Sequence, residues 1–304
     1  MRAFRILFRT SLLLMLSAGA ATAQADLSAW PQVRMELMAI DAEGNPLPAL
    51  PADAVFVNEG RRPHAIASLA PAPGPQSICI LIDASDVMSD RLDPMLAKAR
   101  RLLQRLPATD EVCLAHYSGA LTIDQKLTAD RSAAVNALAP ITASGRARLR
   151  DAILQLSGYM RQSAQYRSRA IVLFSDGVDQ HSAAGKDQWR LGMEAEGAPV
   201  VHLLCMPLGF GHAAWKQEDA TKGSALHLVA PGGGLVYFPH TITEFDAMVD
   251  HLSDYLQARY VLTFTADNPA RDGSERRINI FYGPAHREAD VMLRAPTGYI
   301  APAH

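Results

Sequence analysis

Between residues 76 and 257 the chain alternates short, unbroken apolar runs with segments of helical period. The runs are SICILID (77–83), EVCLAHYS (111–118), LTIDQKL (121–127), AIVLFSD (170–176), VVHLLCM (200–206) and LVYFP (235–239). A strand that is apolar on both faces needs cover on both sides, and helices between strands supply it. Three intervening segments carry a helical stripe. They are Leu92, Leu96, Ala99, Leu103 and Leu106; then Leu149, Ile153, Leu156 and Met160; then Phe245, Val249, Leu252 and Leu256. Thr243-Glu244-Phe245-Asp246 opens the third as a candidate capping box. The pattern predicts an α/β fold with a doubly wound, mostly parallel sheet. Only Gly119-Ala120 separate the second run from the third. That gap admits a hairpin and no crossover, so one edge strand is antiparallel.

The flanks read differently. Residues 27–70 hold VRMELMAID (33–41), AVFVNEG (54–60) and HAIASLA (64–70), with turn chemistry in DAEGNP (41–46). Period-two alternation marks half-buried strands. APAPGP (70–75) is a Pro/Gly linker. Residues 258–300 return to strands with RYVLTFTA (259–266), RRINIFYG (276–283) and ADVMLRA (289–295), and Asp272-Gly273 marks a turn. Each flank is too small to bury a core alone. They are expected to pair into one small β-sheet or sandwich built from both termini, with the α/β domain of 76–257 inserted between them.

Residues 1–23 have the pattern of a secretory signal peptide: Arg2, Arg5 and Arg9, the apolar run SLLLMLS (11–17), then Ala21-Thr22-Ala23. The apolar run is shorter than the roughly 20 residues that span a bilayer. The expected protein is exported, periplasmic or secreted, with no stable membrane insertion after cleavage. Cleavage removes three arginines and no acid, so the exported chain is more acidic than the formal −2 of all 304 residues. Neither figure suits a nucleic-acid binder, which shows a strongly basic face. At 49% hydrophobic and 20% charged, the chain is ordinary globular protein and not a disordered or multi-span one. Its three cysteines, Cys79, Cys113 and Cys205, each lie in an apolar run and read as small buried hydrophobes. A Cys79–Cys113 bridge requires their strands to be neighbours.

In a doubly wound sheet, ligands sit outside the carboxyl ends of the strands where strand order reverses. Two runs end there on aspartates: Asp83-Ala84-Ser85-Asp86-Val87 and Asp176-Gly177-Val178-Asp179. Carboxylate and hydroxyl oxygens suit a hard cation. There is no Gly-x-Ser-x-Gly elbow, P-loop or His-x-x-x-His pair. His116 and His202 fall inside strands and read as core residues, and His181 as a loop residue able to reach the aspartates.

With ILIDAS, LFSDGVD and the closing NPARDG, RRINIFY and PTGYIAP segments, the chain resembles the von Willebrand factor A domain family, most closely its VWFA-related acidobacterial branch. The resemblance implies an adhesion-type module whose metal-ion-dependent adhesion site holds a divalent cation, with a coordination position left for a partner's carboxylate. Carried over, Asp83, Ser85 and Asp176 match that site. Val87 stands where the family has Ser, and Ala147 where it has Thr. The implied Mg²⁺ or Mn²⁺ is therefore bound weakly or not at all. Asp86 could supply a replacement oxygen. Arg146 or Arg148 could pair with Asp83 or Asp176 and stand in for the metal. The implied function is non-enzymatic docking of a protein partner, through a carboxylate or other polar group. The alternatives are a metal-dependent hydrolase using Asp83 and Asp176, and a structural family member whose site has decayed.

Overall fold

The computed structural model describes residues 25–42, 44–47, 49–60, 62–64, 66–72, 74–193, 195–206, 225–283 and 291–303. The leader-like segment 1–23 lies outside them, as does part of the expected strand at 289–295. The central sheet contains β6 (Ser77–Asp83), β7 (Glu111–Tyr117), β8 (Leu121–Thr128), β9 (Arg169–Ser175), β10 (Val200–Cys205) and β11 (Val236–Tyr237). Its order is β11-β10-β9-β6-β7-β8. All pairings are parallel except that of β7 with β8, the hairpin expected from the short Gly119-Ala120 gap. The last expected strand, 235–239, shrinks to two paired residues.

Alternate residues of β6 serve the two faces. Ile78, Ile80 and Ile82 pack with α1 (Leu92–Arg105), α2 (Arg131–Asn136) and α5 (Ile242–Gln257), while Cys79 and Leu81 pack with α3 (Leu149–Ser163) and α4 (Lys186–Met193). Both layers are apolar, which is why this strand carries no polar residue between Ser77 and Asp83. The stripes of α3 and α5 are buried as their spacing predicts. In α1 Leu92, Ala99 and Leu103 are buried but Leu96 only partly; Met95 and Leu102 complete the buried apolar set, and Leu106 is the C-cap. The cap of α5 falls two residues before the expected one. Thr241 Oγ1 accepts the Glu244 amide at 3.1 Å, and Glu244 Oε2 accepts the His240 amide at 2.7 Å. Along the outer side, Lys98, Arg101 and Arg105 of α1 pair with Asp246, Asp250 and Asp254 of α5 at 2.6–3.8 Å.

Cys79 and Cys113 sit directly opposite each other in the β6–β7 register and form a disulfide. This corrects the reading of all three cysteines as plain buried hydrophobes. The strands are adjacent, and only Cys205 is a free, buried thiol.

The flanking regions build two antiparallel sheets. One is ordered β1-β2-β12-β5, with β14 also on β2; the other is ordered β15-β13-β3-β4. Their strands are β1 (Ala25–Asp26), β2 (Gln32–Ile40), β3 (Val55–Glu59), β4 (Arg62–His64), β5 (Ile66–Pro71), β12 (Arg259–Thr265), β13 (Glu275–Tyr282), β14 (Met292–Arg294) and β15 (Gly298–Ile300). Chain beginning and chain end interleave. β12 pairs β2 over seven residues, and β13 pairs β3 over five. Val33, Met35 and Leu37 meet Val57, Leu262, Phe264 and Tyr299 in one core shared by the two sheets. Met38 and Ile40 of β2 join the α1/α5 core instead, so β2 is packed into both parts of the molecule.

The joint between the parts is polar and buried. Arg259, 6% exposed, donates to Glu36 at 3.3 Å, to the Gly74 carbonyl at 2.7 Å and to the Leu256 carbonyl at 3.1 Å, and also to Ser168 Oγ. Ser168 Oγ in turn donates to Glu36 at 2.9 Å.

Candidate functional site at the strand ends

Strand order reverses between β6 and β9. The chain steps from β6 to β7 on one side, then crosses by α3 to β9 on the other. Asp83 and Asp176 therefore end neighbouring strands at the switch point. Asp83 is fully buried. Its Oδ1 accepts the Ser85 amide at 3.1 Å and the Ser85 hydroxyl at 2.6 Å, and its Oδ2 accepts the Ser175 hydroxyl at 2.8 Å. Ser175 Oγ also accepts the Gly177 amide at 3.0 Å and lies 3.2 Å from the Tyr117 hydroxyl. Burial, and then the negative charge of Asp83, push the Tyr117 phenol well above its ordinary range, so it stays a neutral donor. Three donors thus hold one carboxylate in a dry floor.

Around this floor, four loops are stitched by backbone hydrogen bonds. Asp86 N donates to Gly145 O at 2.9 Å, Ser144 N to Ala84 O at 2.8 Å, Gly119 N to Arg146 O at 2.9 Å and His181 N to Ala147 O at 3.1 Å. Gly145 permits this closeness. Its φ is +67°, and a Cβ there would stand 2.8 Å from the Ser118 carbonyl oxygen. The loop after β9 is clamped to the start of α3. Asp151 accepts the Ala183 and Ala184 amides at 2.9 Å each, and Arg150 pairs with Asp179 at 2.6 Å.

The expected site residues separate into distinct roles. Ser85 is buried and spent on Asp83; Asp176 is half-buried, and its Oδ1 accepts the Val178 amide at 2.9 Å. Burial raises the Asp176 carboxyl above its ordinary range; the Val178 amide opposes this, the Asp83 charge adds to it, and Arg91 opposes it. Asp86, Arg146 and His181 are exposed on the rim. Val87 stands beside them, 43% exposed, and Ala147 is buried. Arg148 turns away from both strand-end aspartates and pairs with Asp151 at 2.7 Å. His116 pairs with Asp124 at 2.8 Å. His202 is buried, accepts the Leu235 amide at 3.1 Å and is pushed down to about 3 by burial.

Sequence reasoning missed Ser175, Tyr117 and Arg91. The first two flank the aspartates in register, and LFSDG carried the signal for Ser175. Arg91 had none, because the carbonyl it reaches, Met206 O at 3.1 Å, is 115 residues away.

A divalent cation is what the family resemblance implies, and two of the positions that would hold it offer no oxygen. Hard cations take six or more oxygens. Here Asp83 accepts the Ser85 and Ser175 hydroxyls, while the two positions where the family has Ser and Thr carry the alkyl groups of Val87 and Ala147. Among the described residues no group of three or more His, Cys, Asp or Glu side chains could hold a metal ion. No described helix is long and apolar enough to cross a membrane.

Residues 78–178 match the family model of the von Willebrand factor type A domain. No curated protein matches the chain. Among solved structures, a von Willebrand factor type A protein from Catenulispora acidiphila is similar in fold, at 13% identity and TM-score 0.51 over 95% of this chain and 76% of that one. BatB from Bacteroides thetaiotaomicron shares 19% identity over 60% of this chain and 98% of its own, with TM-score 0.45. A mutant of the PilB minor pilin from Streptococcus sanguinis shares 9% over 62% of this chain and 63% of its own, with TM-score 0.48. Strand order and switch point agree with that family match, so residues 78–178 are similar to a von Willebrand factor type A domain.

Proposed function

We propose that this protein is an exported, non-enzymatic interaction module that docks a partner protein on the face at the strand ends, with weak or no dependence on a divalent cation. The observation that carries this reading is the construction of that face. Loops 84–87, 118–119, 144–147 and 177–181 are hydrogen-bonded to one another around a buried carboxylate, and they present an exposed rim of Asp86, Val87, Arg146 and His181. Loops fixed by a rigid scaffold are where recognition residues concentrate. An exposed isopropyl group beside separate acidic and basic side chains offers both burial and polar register to a protein surface. The serine hydroxyls nearest the aspartates are buried and engaged, so neither is set as a nucleophile beside a base. Export is supported by the Cys79–Cys113 disulfide, a bond that persists in oxidising compartments.

A photo-crosslinking residue at Val87 tests the reading. The expected product is one partner, lost on Arg146→Glu and unchanged by EDTA, with no product from a probe at Arg100 on the exposed side of α1. Equal crosslinking from both probes overturns the docking face. Turnover of phosphate or carboxyl esters with added Mn²⁺, abolished by Asp83→Ala, overturns the non-enzymatic assignment.

A further inference from the structure

The strand ends bring two carboxylates together, and one arginine ties the loop after Asp83 to the backbone beside Asp176. Arg91 leaves the loop that follows Asp83, at the end of a 3₁₀ turn (Asp86–Arg91) that leads into α1. Its guanidinium donates to the Val87 carbonyl at 2.5 Å and to the Met206 carbonyl at 3.1 Å. Met206 is the residue after β10, and its amide donates to Ser175 O at 2.8 Å. Cys205 Sγ, one residue earlier, lies 3.4 Å from the Asp176 carbonyl. The guanidinium is therefore pinned between the Asp83 loop and the backbone that borders Asp176. Neither Arg146 nor Arg148 has this position: the first is exposed on the rim, and the second belongs to Asp151.

We infer that Arg91 is the resident cation of this face, taking over from a divalent metal the task of tying the loop after Asp83 to the end of β10, whose Met206 amide holds the Ser175 carbonyl beside Asp176. An arginine is permanently charged and supplies directed donors, so it can tie two backbone segments together while offsetting nearby carboxylates. It also makes the loss of oxygens at Val87 and Ala147 harmless, because no ion remains to be coordinated. The face keeps its shape without metal, and a second positive charge is repelled from it. The inference concerns the face assigned to docking but is read on the purified protein with metal alone, so it stands or falls separately from any partner.

The experiment is a thermal unfolding series of the full chain with EDTA or millimolar Mn²⁺. The wild type is expected to show the same midpoint in both. Val87→Ser with Ala147→Ser returns hydroxyls to the two lost positions, and with Arg91 in place it is also expected to ignore Mn²⁺. Adding Arg91→Gln to that pair is expected to create a Mn²⁺-dependent rise of roughly 2–4 °C. Asp83→Asn in the triple background should abolish the rise. If the triple variant fails to fold, Arg91→Met, which keeps the aliphatic stem, takes its place. A Mn²⁺ response in the wild type, an equal response with Arg91 retained, or no response once it is removed each overturns the inference.

Discussion

Ser175 donates its hydroxyl hydrogen to Asp83 across 2.8 Å, joining the ends of two adjacent strands whose residues are 92 positions apart. The same oxygen accepts the Gly177 amide and meets the Tyr117 hydroxyl, so removing it strips several buried partners at once. Ser175→Ala should cost about 1–3 kcal/mol in urea unfolding, and Tyr117→Phe about 1 kcal/mol. A double variant costing less than the sum of the two would show that they act as one network. Full additivity would show that they do not.

Acid sensitivity should trace to Asp151. Burial alone would raise its carboxyl, but the Ala183 and Ala184 amides and Arg148 outweigh that and hold it below the ordinary range. A depressed folded pKa gives stability that is present above the unfolded value and lost as pH falls through the folded one. Asp151→Asn should therefore lower the urea midpoint at neutral pH and converge with the wild type in strong acid. Two curves that stay parallel to the acid end would refute the assignment.

Reduction should weaken the central sheet. The Cys79–Cys113 bond closes a loop with a sequence separation of 34, so losing it should cost about 2–5 kcal/mol. Thiol titration of the oxidised protein in denaturant is expected to find one thiol per chain, from Cys205. The folded protein should be unreactive, because burial pushes that thiol up to about 12.

Arg259 ties the terminal sheets to the α/β part, and truncating it leaves Glu36 half-paired at a buried joint. Arg259→Ala should cost about 3–5 kcal/mol. Hydrogen exchange should localise the loosening to β2, β12 and the 166–168 loop, with the strand-end loops still protected. Uniform deprotection of the whole chain would mean that the joint is not a local clamp.

Gly145→Ala tests the loop stitching directly. The left-handed backbone and the Ser118 carbonyl 2.8 Å from the new methyl should together cost about 1–3 kcal/mol. The amide of Asp86, which donates to Gly145 O, should lose exchange protection with it.

The central sheet was legible because it is buried on both faces. Ile78, Ile80 and Ile82 serve one layer and Cys79 and Leu81 the other, which leaves an unbroken apolar run that no amphipathic element would show. The antiparallel β8 was legible from chain length alone. The disulfide was not, since it depends on Cys79 and Cys113 sharing a register that apolar runs do not specify. The α5 cap was misplaced by two residues because Thr241 and Thr243 are chemically equal candidates, and only backbone geometry chooses between them. Among the site residues, Asp83 and Asp176 follow from strand ends at a switch point. The loop arginines differ in how far away their partners lie. Arg148 finds a carboxylate one helical turn away, whereas Arg91 finds a carbonyl across the sheet.

The pairing of β2 with β12 has a mechanical consequence. The segment from residue 72 to 258 leaves and re-enters the molecule between β5 and β12, strands that are themselves paired. A load applied across the terminal sheets meets the β2–β14, β2–β12 and β13–β15 ladders, and the α/β part is inserted beside that path, between the paired β5 and β12. A partner held at the strand-end face is thereby joined to the terminal sheets through the paired strands β5 and β12 and the core that β2 shares with the α/β part.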